Sequence, residues 1–133
     1  MKILGIGTDL CDIGRIERAL ERFGERFAER ILVDSEMERF RRRRKGAAYL
    51  AKRFAAKEAF SKALGTGIRF PVNWHNVWVE NERSGKPSLK FSRPLAQFLK
   101  RRGIAKVHVS LTDEIGMASA FVIVEGTGRA GRK

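Results

Sequence analysis

Residues 47–64 constrain this chain more than any other segment: Ala-Ala-Tyr-Leu-Ala-Lys-Arg-Phe-Ala-Ala-Lys-Glu-Ala-Phe-Ser-Lys-Ala-Leu. Alanine and other strong helix formers dominate them. Gly65 follows as the expected C-terminal stop. Leu50 and Phe54 fall on one line of this helix with Ala47, and Ala51 and Ala55 lie beside it. A long helix of this kind needs an apolar surface to rest on, and the flanking segments supply strands.

Residues 2–9 read as a buried first strand, in which Ile3, Leu4 and Ile6 alternate with Gly5 and Gly7, glycines that let other backbone approach closely. Asp12 is the expected N-cap of the next element. Val77–Asn81 and Ser88–Phe91 form a hairpin around the turn Ser84-Gly85-Lys86-Pro87. Leu95, Phe98 and Leu99 suit a helix that starts near Arg93-Pro94 and ends by Gly103. Residues 107–112 and 117–125 read as two more strands, with Asp113–Gly116 as their turn. The fold class is α+β: an antiparallel sheet packed on a long helix. We expect one domain over residues 1–125 and a loose basic tail over 126–133.

Between the first strand and the long helix the period is helical. Ile16, Leu20, Phe23 and Phe27 form an apolar stripe, Arg15, Arg18, Arg22, Arg26 and Arg30 a basic one, and Glu17, Glu21, Glu25 and Glu29 an acidic one. Gly24 is placed to break or bend the helix midway. Periodicity alone favours a solvated basic face laced with intrahelical ion pairs over a dock for an acidic partner. Ser35 and Glu38 have the spacing of a capping box for a short helix that leads into Arg41–Lys45.

The net charge is +13, which favours an anionic partner without choosing among nucleic acid, an acidic protein and a phosphorylated small molecule. No apolar run approaches the ~20 residues a spanning helix needs, and the opening residues are not a signal peptide. The single cysteine, Cys11, cannot form an internal disulfide and reads as a small buried residue, so a reducing cytoplasm is the expected location.

Most acidic residues lie in the charged stripes; Asp9 and Glu58 do not. Asp9 ends an apolar strand and Glu58 stands in the alanine-rich helix. A carboxylate in such surroundings needs a cationic partner or a metal. Taken singly, each reads as half of an ion pair. Taken together they suit a hard divalent cation such as magnesium, which uses one or two protein carboxylates and leaves room for waters and phosphates. Arg53, Lys57 and Lys62 project from the same helix, and Glu58 and Lys62 are one turn apart. Carboxylates among several cations point to a polyphosphate substrate. No phosphate-binding glycine loop or dinucleotide fingerprint is present, and His75 and His108 lack metal-ligand spacing.

Ile6-Gly7-Thr8-Asp9, followed by Ile13, Arg15, Ile16 and Glu17, resembles the first motif of the holo-acyl-carrier-protein synthases, the small bacterial members of the 4′-phosphopantetheinyl transferase superfamily. Arg53 to Ile68 resembles the second motif, and Gly85-Lys86-Pro87 and His108-Val109-Ser110-Leu111 the later pattern. The resemblance implies transfer of the 4′-phosphopantetheine arm of coenzyme A to a serine of an apo acyl carrier protein, with adenosine 3′,5′-bisphosphate leaving. It implies that Asp9 and Glu58 hold Mg2+ and that Asp9, Glu58 and Lys62 are catalytic, with Asp9, Glu58 or a metal-bound water as the base. Coenzyme A contacts are implied at Arg53, Lys57, Ser61, Gly65, Thr66, Lys86, Pro87 and His108. The carrier protein is implied to dock on Arg15, Arg22, Arg26, Phe27 and Phe54, which reverses the solvated-face reading of the arginines. A homotrimer with active sites at subunit interfaces is implied as well. A basic nucleic-acid-binding protein is the rival, supported by the charge, Arg41–Lys45 and the tail. It leaves Asp9 and Glu58 unexplained, since both repel phosphates without a metal.

Overall fold

The structure, a computed structural model, describes residues 1–128. The chain runs β1 (Lys2–Asp12), α1 (Ile13–Phe23), α2 (Glu25–Ile31), α3 (Asp34–Arg41), α4 (Gly46–Leu64), β2 (Val77–Asn81), β3 (Pro87–Phe91), α5 (Arg93–Arg101), β4 (Ile104–Glu114) and β5 (Met117–Gly126). β1, β5 and β4 form an antiparallel sheet in that order, and the β2–β3 hairpin stands as a separate two-stranded sheet. The α+β reading holds, with two sheets instead of one. The Gly24 break is present between α1 and α2, and the Asp12 carboxylate caps α1 by accepting from Gly14 N at 2.8 Å.

α4 is the axis of the core. Leu50, Ala51, Ala55, Ala56, Ala59 and Phe60 are fully buried on it, so neighbours surround it on nearly every side. β1 lies directly on this helix. A Cβ on Gly7 would stand 1.9 Å from the carbonyl oxygen of Ala59, and one on Gly5 would stand 1.9 Å from that of Ala63. Two residues of strand advance about 6.6 Å and one turn of helix about 5.4 Å, so a Gly-x-Gly step matches an Ala-x-x-x-Ala step. This match lets the two backbones touch and fixes what lies further along the same strand face.

That inward face carries Gly7 and Cys11, with Val122 and Ala118 of β5 and Val109 of β4. The opposite face carries Ile6, Thr8 and Leu10, paired across β5 to Ile123, Phe121 and Ser119, and on to His108, Ser110 and Thr112. No described residue covers this outer face: Ile6 is 56% exposed, Leu10 67% and Phe121 40%.

Three local expectations are corrected. Ser35 does not head a capping box with Glu38; Val33 is the N-cap, two residues earlier, α3 starts at Asp34, and Glu36 accepts from Val33 N at 3.1 Å. Phe23 does not join the apolar stripe in the core; it is 56% exposed, while Ile16 is buried and Leu20 and Phe27 are half-buried. Gly126 belongs to β5, paired with Lys2 and Ile104. Residues 129–133 of the expected tail lie outside the described residues.

Candidate active site

The Gly–Ala contact sets Asp9 two residues beyond Gly7 on the strand face that meets α4, beside the turn that carries Glu58 and Lys62. Lys62 Nζ donates to Asp9 Oδ1 at 3.0 Å and to the Thr8 carbonyl at 3.1 Å, using the edge of β1 that no described strand pairs. Glu58 has no such partner: among the described residues its carboxylate accepts no hydrogen bond and forms no ion pair. Asp9 and Glu58 open into one groove of about 470 Å³, lined also by Leu10, Cys11, Arg15, Ile16, Phe27 and Phe54. Burial, then the neighbouring Asp9 charge, raise the Glu58 carboxyl above the ordinary glutamate range, with Lys62 opposing. Burial, then the Asp9 charge, push the Cys11 thiol up to about 11, which disfavours the thiolate that a nucleophilic cysteine needs.

One wall of the groove is α1 and α2. Among the described residues none of Arg15, Arg18, Arg22, Arg26 or Arg30 enters an ion pair. Two of the acids placed to neutralise them within the helix are engaged elsewhere, since Arg41 bonds Glu25 at 3.1 Å and Glu29 at 3.6 Å. Intrahelical pairing is therefore not what these arginines do. Phe27 lines the groove and also a second depression of about 350 Å³ with Phe23, Arg26 and Arg30, so the basic, apolar-floored surface runs continuously from Phe23 to Glu58. Phe54 forms the far wall, with its ring stacked on Trp74 at 5.2 Å.

The other residues expected at coenzyme A are not gathered in this groove. Gly65 and Thr66 sit at the C-terminal end of α4, just past Lys62. Arg53 is buried, lies 4.1 Å over the Tyr49 ring and donates to Asn81, whose side chain in turn donates to the Gly85 carbonyl in the turn before Lys86 and Pro87. Its Nε is buried with no partner among the described residues, as is the Tyr49 hydroxyl. His108 stands on the outer face of the sheet, 2.7 Å from Glu125. Ser61 is buried and its hydroxyl is spent on the Glu58 carbonyl one turn back.

Lys57 departs furthest from expectation. It is fully buried, and its three donors are used within the chain: on Glu36 at 2.7 Å, on the Ile31 carbonyl at 2.6 Å and on the Trp74 carbonyl at 2.9 Å. An ammonium has three donors, so none is left for coenzyme A. Glu36 is the residue that sequence reading missed. In the sequence it looks like one more acid of a charged helix, and its partner is 21 positions away.

The donor set fits magnesium. It offers two hard carboxylates in one groove, one of them without a partner among the described residues, and no cluster of three or more His, Cys, Asp or Glu exists among those residues. An all-protein cage is thus absent there, while one or two carboxylates beside open space are what magnesium takes when phosphates complete its shell.

Comparison with known proteins gives the family and the fold. Residues 5–118 match the family model described as the 4′-phosphopantetheinyl transferase superfamily. A holo-[acyl-carrier-protein] synthase of Nitrosomonas europaea is 53% identical over 123 residues, 92% of this chain and 98% of the relative. The crystal structure of the holo-[acyl-carrier-protein] synthase from Neisseria meningitidis is 45% identical with a TM-score of 0.89, covering 92% of this chain and 98% of that one. The Bacillus anthracis synthase, solved in complex with CoA (3′,5′-ADP), is 35% identical with a TM-score of 0.80, covering 96% of this chain and 100% of that one.

Proposed function

This chain belongs to the holo-acyl-carrier-protein synthases of the 4′-phosphopantetheinyl transferase superfamily, and on that premise we propose how its residues perform the reaction. It transfers the 4′-phosphopantetheine group of coenzyme A to a serine of an apo acyl carrier protein and releases adenosine 3′,5′-bisphosphate. The observation that carries the assignment of roles is the convergence of Asp9 and Glu58 in a groove bordered by Arg15, which pairs with no acid among the described residues.

Asp9 and Glu58 would hold magnesium, which would supply neutralisation of the pyrophosphate charge. Lys62 fixes the Asp9 carboxylate and presents the remaining donor capacity of its half-exposed ammonium to the substrate phosphates. Asp9 and Glu58 are the groups in the groove able to take the serine proton. Arg15, Arg22 and Arg26 meet the acidic surface of the carrier protein, and Phe27 and Phe54 add apolar contact next to the reacting atoms.

The chain works as a homotrimer with its sites at subunit boundaries. The uncovered outer face of the β1–β5–β4 sheet supports this. It presents Ile6, Leu10 and Phe121 on one side, and Leu10 also borders the Asp9–Glu58 groove, so a copy packed on this face abuts the site. His108 lies on that same face, and Arg53 with the Lys86–Pro87 turn lies away from the groove. These residues complete the coenzyme A site across the boundary. No helix among the described residues is long and apolar enough to cross a membrane, and the lone Cys11 fits a cytoplasmic enzyme.

The test is intact-mass spectrometry of an apo acyl carrier protein after incubation with this protein, coenzyme A and magnesium. A gain of one phosphopantetheine, abolished by chelator and by Glu58→Ala, is expected. Absence of any gain with bacterial apo-carriers defeats the assignment, and a gain that survives Glu58→Ala defeats the metal role.

A further inference from the structure

The buried ion pair of Lys57 and Glu36 joins five parts of the chain. Lys57, on α4, reaches the last residue of α2 through the Ile31 carbonyl, the loop before β2 through the Trp74 carbonyl, and α3 through Glu36 Oε1. Glu36 then accepts from Val33 N at the start of α3 with Oε1 and from Val79 N of β2, at 2.8 Å, with Oε2. Three donors meet three acceptors, and Glu36 accepts three N–H groups in turn, so the pair is saturated at 0% and 1% side-chain exposure.

Such a pair is poor as a source of stability. Removing two charges from water costs several kcal/mol per ion, and well-packed apolar residues often do as well. Its value lies in geometry, and the attachment points say which geometry. Ile31 ends α2, the helix that carries Arg26 and Phe27. Trp74 stacks on Phe54, the opposite wall of the groove. Lys57 itself is the residue next to Glu58 on α4.

We propose that Lys57 and Glu36 are positioning residues for the carrier protein: they hold α2 and the Phe54–Trp74 stack at a fixed offset from Glu58, so that a docked carrier delivers its serine to the reacting phosphorus. This rests on the carrier-docking reading of α2 given above. The pair touches neither coenzyme A nor carrier and acts through the backbone carbonyls it holds.

The test uses the full-length protein with Lys57→Met/Glu36→Gln, which removes both charges at nearly constant volume, and with Glu36→Gln alone. The amide introduced by Glu36→Gln keeps one acceptor oxygen where the carboxylate has two, so Val79 N must compete for it with Lys57 and Val33 N. Steady-state transfer at saturating coenzyme A gives KM for the apo-carrier, and calorimetric titration gives Kd for coenzyme A with magnesium. We expect the carrier KM to rise about tenfold or more in the double variant, with the coenzyme A Kd changed by less than about twofold. A loss of coenzyme A affinity equal to the loss for carrier returns Lys57 to the coenzyme A site and overturns the proposal. Unchanged carrier KM in both variants overturns it, and so does failure of both to fold, which reduces the pair to a purely structural role. If the parent protein transfers nothing to any apo-carrier, the functional reading fails and takes this proposal with it; if only the variants' ratio fails to shift, the functional reading stands.

Discussion

Gly7→Ala isolates the contact that brings the two carboxylates together. The added Cβ would lie 1.9 Å from the Ala59 carbonyl oxygen and 2.6 Å from Ala63 N, where distances below 3.0 Å do not occur. Both atoms are helix backbone, locked in the hydrogen bonds of α4, so no side-chain rotation relieves the clash. β1 and α4 must part by more than an ångström. Overpacking of a tight core costs about 1–3 kcal/mol, and a backbone obstacle belongs at the upper end. For a domain of this size that lowers Tm by about 10 °C. The functional loss should exceed the loss of folded protein, because the displaced strand carries Asp9 away from Lys62, 3.0 Å away in the intact protein, and from Glu58. A misplacement of about 1 Å at a reacting centre costs on the order of 100-fold in rate. Thermal unfolding followed by circular dichroism, and transfer rate by mass spectrometry well below Tm, measure the two effects. Ala59→Gly should not rescue the variant, since the obstacle is the carbonyl and not the methyl. Gly14→Ala is the control: its nearest atoms are the side chains of Asp12 and Arg18 at 3.1 and 3.3 Å, and it should stay within about 1 kcal/mol of the parent. A Gly7→Ala protein with parental Tm and rate, or one rescued by Ala59→Gly, would refute the close-contact argument.

Three further outcomes are expected. Arg15→Glu should raise the KM for carrier protein about tenfold or more and blunt its salt dependence, while coenzyme A binding by calorimetry is unchanged. Ile6→Lys, on the uncovered sheet face and half exposed in the single chain, should convert the proposed trimer to monomers by light scattering without altering the circular dichroism spectrum. In metal-free protein Glu58 titrates above the ordinary glutamate range, so between the two values the folded chain holds more protons than the unfolded one, and stability falls as pH rises through that window. Glu58→Gln should remove this slope from a denaturation-versus-pH series, and magnesium, which favours the ionised carboxylate, should oppose it.

Much of this protein follows from interactions between near neighbours in the chain. The alanine-rich run and its glycine stop define α4 to within one residue, Asp12 caps α1 where its spacing places it, and Gly24 separates two helices. Asp9 and Glu58 stand out because each is an acid among apolar or alanine positions, a mismatch that a sequence displays without knowing its partners. Their family motifs then supply the chemistry. Pairings between distant residues are another matter. The basic stripe of α1 and α2 stays out of ion pairs among the described residues while Arg41, from a different helix, takes Glu25 and Glu29. Lys57 reads as a ligand contact from its place beside Glu58, and becomes a buried tie because Glu36, Ile31 and Trp74 converge on it from three elements. Propensity, capping and periodicity act over one or two turns and are written into consecutive residues. Whether a given charge ends up facing a substrate or a buried counter-ion depends on which surfaces meet when the helices pack, and only the tertiary structure decides that.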